Sequence, residues 1–454
     1  MLGVAAMTNA FERALDPSPP LRPTLLRGAI FHFGFVYWGL YCVLIIFMNS
    51  IDNRLMSSVS RAFGAFAVWV GKTILGIGYE FRGVDNGSGD KTSDWVLILC
   101  VACLALVSAV VWPLLDRRHA RDAQLREGLR IAVRYTLAFS VLGYGLSKLF
   151  VGQFPAPHPG RLVQRFGDAS PMGLLWTFMG ASPAYVVFSG ALETLGAGLL
   201  LFRRTTMLGA LVLAGVMTNV VLLNFCYDVP VKLCSSHYLA MCILLLLPDL
   251  RRLANVIVLD RVAQPVARDL VLPRRWMRVT RRVVKYGAIA TVVTLHLVSI
   301  VHWYRMSNAD EPRAWYDGYW MVTSFHRDGR EVPASTTEIN RWSRVRFQTE
   351  GDKLWLRWRL TSEAAVGDLY NVAIDEAART LTLTFDKEQN DARQPGPGLG
   401  VVVLRYVRID DGHLQFDGRV GTADLSVLLE HVDTSSMLLK TRGFHWINEA
   451  PYNR

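Results

Sequence analysis

A single acid, Glu193, stands about midway along an otherwise uncharged apolar run from Ala181 to Phe202. An ionised carboxylate near the bilayer centre costs on the order of 3 kcal/mol even on lenient insertion scales, so such residues usually face a bundle interior and often mark a site. Neighbouring apolar runs hold other reactive groups: Tyr144 and Lys148 one turn apart, then Asn219, Asn224, Cys226, Asp228, Cys234 and His237. At about 1.5 Å rise per residue, Glu193 lies roughly 16 Å below the outer end of its span, and Tyr144 and Asn219 roughly 9 Å below theirs. Helix tilt and long side chains let these groups meet, forming a polar pocket that opens outward. Within it Glu193 acts either as a protonatable acid, beside Tyr144 or His237, or as interhelical glue with Asn219.

The remaining candidates each have two readings. Lys148 is a snorkelling anchor at the outer rim or a member of the site. Cys226 and Cys234, with seven residues between them, both reach the oxidising face; they form a redox pair or are small packed thiols. Cys100 and Cys103 have Cys-x-x-Cys spacing but lie inside an apolar span without a basic neighbour, which favours packing. Asp90 binds a cation or caps the span that follows it, and capping is expected. His296 and His302 are six apart, hence on different helix faces, and the ten histidines show no zinc spacing, so no metal is indicated. The chain has no phosphate loop, nucleophile elbow or dinucleotide fingerprint.

Elements that position these groups follow from composition. The 454 residues are 51% apolar and carry a formal charge of +11. Several runs are too long and too greasy for globular helices, which makes the chain polytopic. Its basic residues cluster beside apolar runs, as in cytoplasmic loops, so the charge reflects topology and argues against a nucleic-acid partner. Spans are expected at about 29–48, 95–115, 131–150, 181–202, 206–225, 233–247 and 286–304, with 62–81 an interfacial or re-entrant helix. Residues 253–285 form a basic cytoplasmic stretch lying on anionic lipid headgroups. Doubled arginines such as Arg203-Arg204 and Arg251-Arg252 then fall on one face. Seven spans result, in a bacterial inner membrane, with the N-terminal tail (1–26) inside and the C-terminal region outside.

From about Trp315 the periodicity changes to two. Runs such as Arg344–Phe347, Leu354–Trp358, Thr380–Phe385 and Val401–Tyr406 alternate with turns rich in Asp and Gly. Eight strands in hairpin order predict a small antiparallel up-and-down β-barrel over 311–454, so the fold class is α+β. Gln394–Gly398, rich in helix and strand breakers, reads as a mobile connection. Gly318-Tyr319-Trp320 in the first strand and Arg442 after the last resemble the lipocalin arrangement, in which an arginine stacks on the tryptophan.

Residues 130–252 resemble the DoxX family of four-helix membrane proteins. The likeness rests on Arg130 opening the first helix, Gly145-Leu146-Ser147-Lys148 near its end, and Gly190-Ala191-Leu192-Glu193-Thr194-Leu195-Gly196 on the second. A ridge of Gly190, Thr194 and Gly198 is expected to meet Ala210, Ala214 and Thr218 of the next span. Residues 27–129 would be accessory spans, with the last span at 286–304. The resemblance implies a quinone-linked oxidoreductase or subunit that takes electrons from a thiol or sulfur donor, with a periplasmic redox or sulfur-handling partner and membrane lipids around it. Glu193, Tyr144 and Lys148 would be its catalytic residues; Asn219, Asn224, His237 and Asp228 would bind the quinone; Cys226 and Cys234 would be redox thiols. Two other functions compete: a non-catalytic anchor whose outer barrel binds lipid or a protein, and an enzyme distantly similar to vitamin K-dependent carboxylases, with Lys148 as base.

Overall fold

The computed structural model describes residues 25–48, 54–78, 89–115, 122–150, 152–164, 166–263, 274–307, 314–334, 341–350, 353–360, 366–386 and 400–443. It divides into two units. One comprises residues 1–153 and 184–302, the other 154–183 and 303–454.

The helical unit opens with α1 (Leu25–Met48), α2 (Arg54–Thr73), α3 (Thr92–Leu115) and α4 (Asp122–Leu149). Two further helices of the other unit follow, α5 (Pro159–Leu162) and α6 (Pro171–Gly180). The helical unit resumes with α7 (Pro183–Leu200), α8 (Thr206–Cys226), α9 (Lys232–Leu246), α10 (Leu250–Ile257) and α11 (Arg275–Ser307). Among the described residues six stretches are long and apolar enough to cross a membrane: 28–45, 92–113, 183–200, 203–226, 232–257 and 275–301. The expected span at 131–150 exists as a helix, α4, but Asp122, Arg126, Glu127, Arg130 and Arg134 make its first half polar, and it falls outside that set.

Local chemistry sets several helix ends. Asp90 accepts from the backbone N–H groups of Lys232 and Leu233 at 2.8 Å each, so it caps α9. The sequence reading had it capping the next span. That span, α3, carries Asp94 in its first turn instead, whose carboxylate accepts from Lys91 N at 3.0 Å. The basic stretch is also different from expectation in its described part. Arg275 to Lys285 form the first third of one continuous 33-residue helix that runs on to Ser307. Helix α2 lies over Arg54–Thr73, earlier than expected, and Arg268 and the loop Gln394–Gly398 lie outside the described residues.

One apolar core joins Tyr41, Cys42 and Ile45 of α1 to Val141 of α4, Leu200 of α7, Leu213 of α8 and Met241 of α9. Glycines let the helices approach. A Cβ on Gly190 would lie 2.7 Å from Gly145 O, and one on Gly209 would lie 2.9 Å from Gly196 O. The expected ridge therefore splits: Thr194 packs on Gly145 of α4, α7 meets α8 through Gly196 and Gly209, and Gly198 has open space beside it. Stagger decides this, because Gly196 and Gly198 are about 200° apart around the helix.

Among its described residues the second unit carries nine strands: β1 (Gly318–Arg327), β2 (Arg330–Glu331), β3 (Trp342–Glu350), β4 (Lys353–Leu360), β5 (Val366–Asp375), β6 (Thr380–Phe385), β7 (Val401–Arg408), β8 (His413–Val420) and β9 (Ala423–His431). A four-residue helix, α12 (Leu438–Thr441), follows. From β3 onward each strand pairs antiparallel with its sequence neighbour, while β1 pairs with β2, β3 and β9. Alternation places Leu381, Leu383 and Phe385 of β6 and Val402, Leu404 and Tyr406 of β7 on the buried face. Trp320, Phe325, Tyr370 and Phe416 complete a core of large side chains. The Trp320 indole donates to Tyr316 O at 3.0 Å, and the ring set edge-on to it is His431.

Candidate functional site

Glu193 and Lys148 form a buried ion pair. Lys148 Nζ donates to both carboxylate oxygens, at 2.7 and 2.6 Å. Glu193 is 2% exposed and Lys148 7%. The snorkelling reading of Lys148 therefore fails: its ammonium points into the bundle. The same glycine contact that joins α4 to α7 creates the pair, because Gly190 seats against Gly145, Lys148 Cβ and Leu149 N. Seven residues of α7 precede Gly190, so α7 extends about 10 Å past the end of α4. That offset carries Lys148, in the last turn of α4, down to the level of Glu193.

Burying two charges has a desolvation cost that their attraction often only offsets, so a lone buried pair is weak as a device for stability. Its position on two helices of the bundle makes it a candidate site, since charges placed inside membrane bundles often mark one. The ammonium has three N–H groups, two committed to Glu193. Tyr144 stands one turn before Lys148, is 40% exposed, and lies close enough to interact with both Glu193 and Cys234. Its ring meets Tyr238 edge-on, with centroids 6.5 Å apart.

His237 belongs to an adjoining aromatic cluster. Its Nδ1 is 2.7 Å from Leu233 O, which only an N–H can satisfy; Nε2 therefore accepts from the Tyr37 hydroxyl at 2.7 Å. Tyr41 stacks on the imidazole at 4.2 Å between centroids, and Trp38 meets its edge. Tyr41 and Tyr238 flank the Cys234 thiol. Tyr37, Tyr41 and Tyr238 were missed by the sequence reading. The i, i+4 spacing of the first two on one face of α1, and the position of Tyr238 beside His237, were the available signals.

Three expected members lie elsewhere. Asn219 is exposed, because α8 turns Gly209, Ala210, Leu213 and Met217 inward and Asn219 sits about 200° round from Met217. Glu193 is held by Lys148, not by Asn219. Asn224 is buried but committed: its amide donates to Ser235 Oγ at 2.9 Å, tying α8 to α9. Asp228 is exposed in a left-handed turn (φ 50°), where it accepts from Lys232 Nζ at 2.8 Å. Cys226 is exposed and Cys234 half-buried, and both are free thiols.

A second polar group occupies other helix turns of this unit. Asp249, fully buried, accepts from Arg252 Nη1 at 2.9 Å and lies 3.7 Å from Arg130 Nη2. His32 lies 3.7 Å from Asp122 and stacks on Trp112. The imidazole of His296 occupies the space a Cβ on Gly143 would need, which docks α11 on α4. Among the described residues no group of three or more His, Cys, Asp and Glu side chains has metal-binding geometry.

A bundle of apolar helices with buried charges at its crossings, followed by an antiparallel sheet, defines a multi-pass membrane protein with a C-terminal β domain. Over 142 residues, 30% of this chain, the sequence is 36% identical to the uncharacterized protein YwoB of Bacillus subtilis (strain 168), and the match covers 89% of that relative. The chain belongs to the same family as YwoB. No family model and no solved structure matches it.

Proposed function

We propose that the chain is a DoxX-like, quinone-linked redox protein of the bacterial inner membrane. In the balanced reaction, a dithiol donor at the outer face gives up two electrons and two protons and becomes a disulfide, and a quinone takes up both and becomes a quinol. The observation that supports this reading best is the buried Lys148–Glu193 pair with the half-exposed Tyr144 beside it. Quinone carbonyls need hydrogen-bond donors in an apolar slot, and the residues present fit: the third N–H of Lys148 and the Tyr144 hydroxyl are donors of the right kind. When bound, the quinone supplies a two-electron, two-proton acceptor. Lys148 and Tyr144 orient its carbonyl, and Glu193 holds Lys148 in place and serves as the proton-carrying group.

Cys234, set among Tyr41, Tyr144 and Tyr238, is the thiol nearest this site in the proposal, with Cys226 more exposed. The pairing of β9 back onto β1 supports a lipocalin-like barrel for the C-terminal unit, on the periplasmic side if the basic joints are cytoplasmic. Trp320, Tyr370 and Phe416 fill part of the space between its strands.

Organic extraction of the purified protein tests this directly. Quinone is expected in the extract by mass spectrometry, in an amount that falls in Glu193→Gln and in the double variant Lys148→Met with Glu193→Leu while the folded yield persists. Extracts without quinone, or variants that retain as much as the parent, would overturn the proposal.

A further inference from the structure

The segment joining α4 to α7 builds a different kind of site, within the second unit. Helices α5, α6 and α12 and the turn after α5 enclose a cavity of about 580 Å³, a size typical of small-molecule sites. Ser170 starts α6 as its N-cap, accepting from Gly173 N at 3.1 Å, and Pro171 occupies the first turn. The walls are apolar, formed by Leu174 and Phe178 of α6 and by Leu438 and Leu439 of α12. Phe178, Leu438 and Leu439 are each about half exposed or more, so this surface is greasy and open to a ligand.

Arg161 is the one charged side chain among the described lining residues. Its guanidinium is fixed in two ways. Nη1 donates to Gln164 Oε1 at 2.9 Å, and the group lies over Gly173, where a Cβ would come within 2.5 Å of Nη1. Gly173 thus provides the seat. Among the described residues no carboxylate lies within ion-pair distance of Arg161. A planar fork of donors is held at the wall of an apolar cavity without a counter-charge from those residues, which suits a carboxylate or phosphate. Ala181 in its lining precedes Pro183, the first residue of a candidate span, by two positions in the chain.

We propose that this cavity binds an anionic amphiphile, with its head on Arg161 and its alkyl chain along Leu174, Phe178, Leu438 and Leu439. A bilayer phospholipid and a free fatty acid share that chemistry. The site is independent of the Lys148–Glu193 pair and of any quinone bound there.

The test uses the full-length protein in phosphatidylcholine nanodiscs, with either photoactivatable phosphatidylglycerol or photoactivatable palmitate, and peptide mapping of the cross-links. Label is expected in peptides covering 161–181 and 437–439. Arg161→Gln should lower that label roughly ten-fold, the size expected for a lost charge-assisted hydrogen bond, and leave labelling of the membrane helices unchanged. Leu439→Trp fills the cavity with Arg161 in place and should give the same loss even if Arg161→Gln folds poorly. Label from phosphatidylglycerol identifies the bilayer as the source, and label from palmitate alone identifies a free fatty acid. No label in these peptides from either probe, or label that Leu439→Trp leaves intact, overturns the proposal.

Discussion

The two units bury different things. In the helical unit Asp249, His32, Glu193 and Lys148 are among the least exposed side chains, each meeting a partner on another helix or turn. In the sheet unit the largest fully buried side chains are Trp320, Phe325, Tyr370 and Phe416, with Arg341 and Arg344 the buried charged groups, and most described ion pairs sit at hairpin turns, as with Arg408–Asp411 and Asp410–His413. A membrane helix satisfies its own backbone, and lipid outside is as apolar as any core, so polar side chains are what distinguish the inside of a bundle. A sheet that buries one apolar face is held by the reverse arrangement. Under the proposed function the chemistry belongs at the helix crossings and the sheet is the scaffold.

That contrast is most exposed to failure at the ion pair. Lys148→Met strands a buried carboxylate and should destabilise the protein by about 3–5 kcal/mol. The double variant Lys148→Met with Glu193→Leu should recover most of that stability while still losing bound quinone. Thermal unfolding in detergent measures the first effect and extraction the second. A double variant that retains quinone would reduce the pair to helix glue.

Phe416→Ala makes the matching test in the sheet. Removing a fully buried ring should cost about 3–5 kcal/mol in that unit, while quinone content stays at the parental level. A fall in quinone alongside would break the separation between scaffold and site.

Glycine substitutions sharpen the contrast within the bundle. Gly190→Val places its Cβ against backbone of α4 and should cost about 1–3 kcal/mol through overpacking. Gly198→Ala has open space and should be neutral or stabilising by up to about 1 kcal/mol from helix propensity. Equal effects at the two positions would mean that α4 and α7 do not cross at Gly145 and Gly190.

The smallest effect belongs to an exposed turn. His413 and the N–H of Gly412 donate to the Asp410 carboxylate, holding its pKa below the ordinary carboxylate value. Its contribution is present above about pH 4 and is lost as pH falls through the lowered value. Asp410→Asn should flatten the acid limb of the sheet unit's melting curve slightly, and an unchanged limb would remove this turn from the account.

Apolar run lengths were enough to determine a polytopic bundle, and the change of period near Trp315 was enough to determine an antiparallel sheet, because both signals are local. Glu193 stood out for the same reason, as a charge where hydrocarbon tolerates few. Its partner was not legible. A lysine in the last turn of a helix snorkels or buries according to how far the neighbouring helix overhangs it, and only the Gly145–Gly190 contact sets that overhang. Asn219 was misplaced by the same gap in information: depth along a span can be counted from sequence, but the rotation of α8 is fixed by which of its small residues meets α7. Likewise Asp90 caps α9, more than 140 positions away in the chain, because a cap is chosen by which helix end folding brings to it.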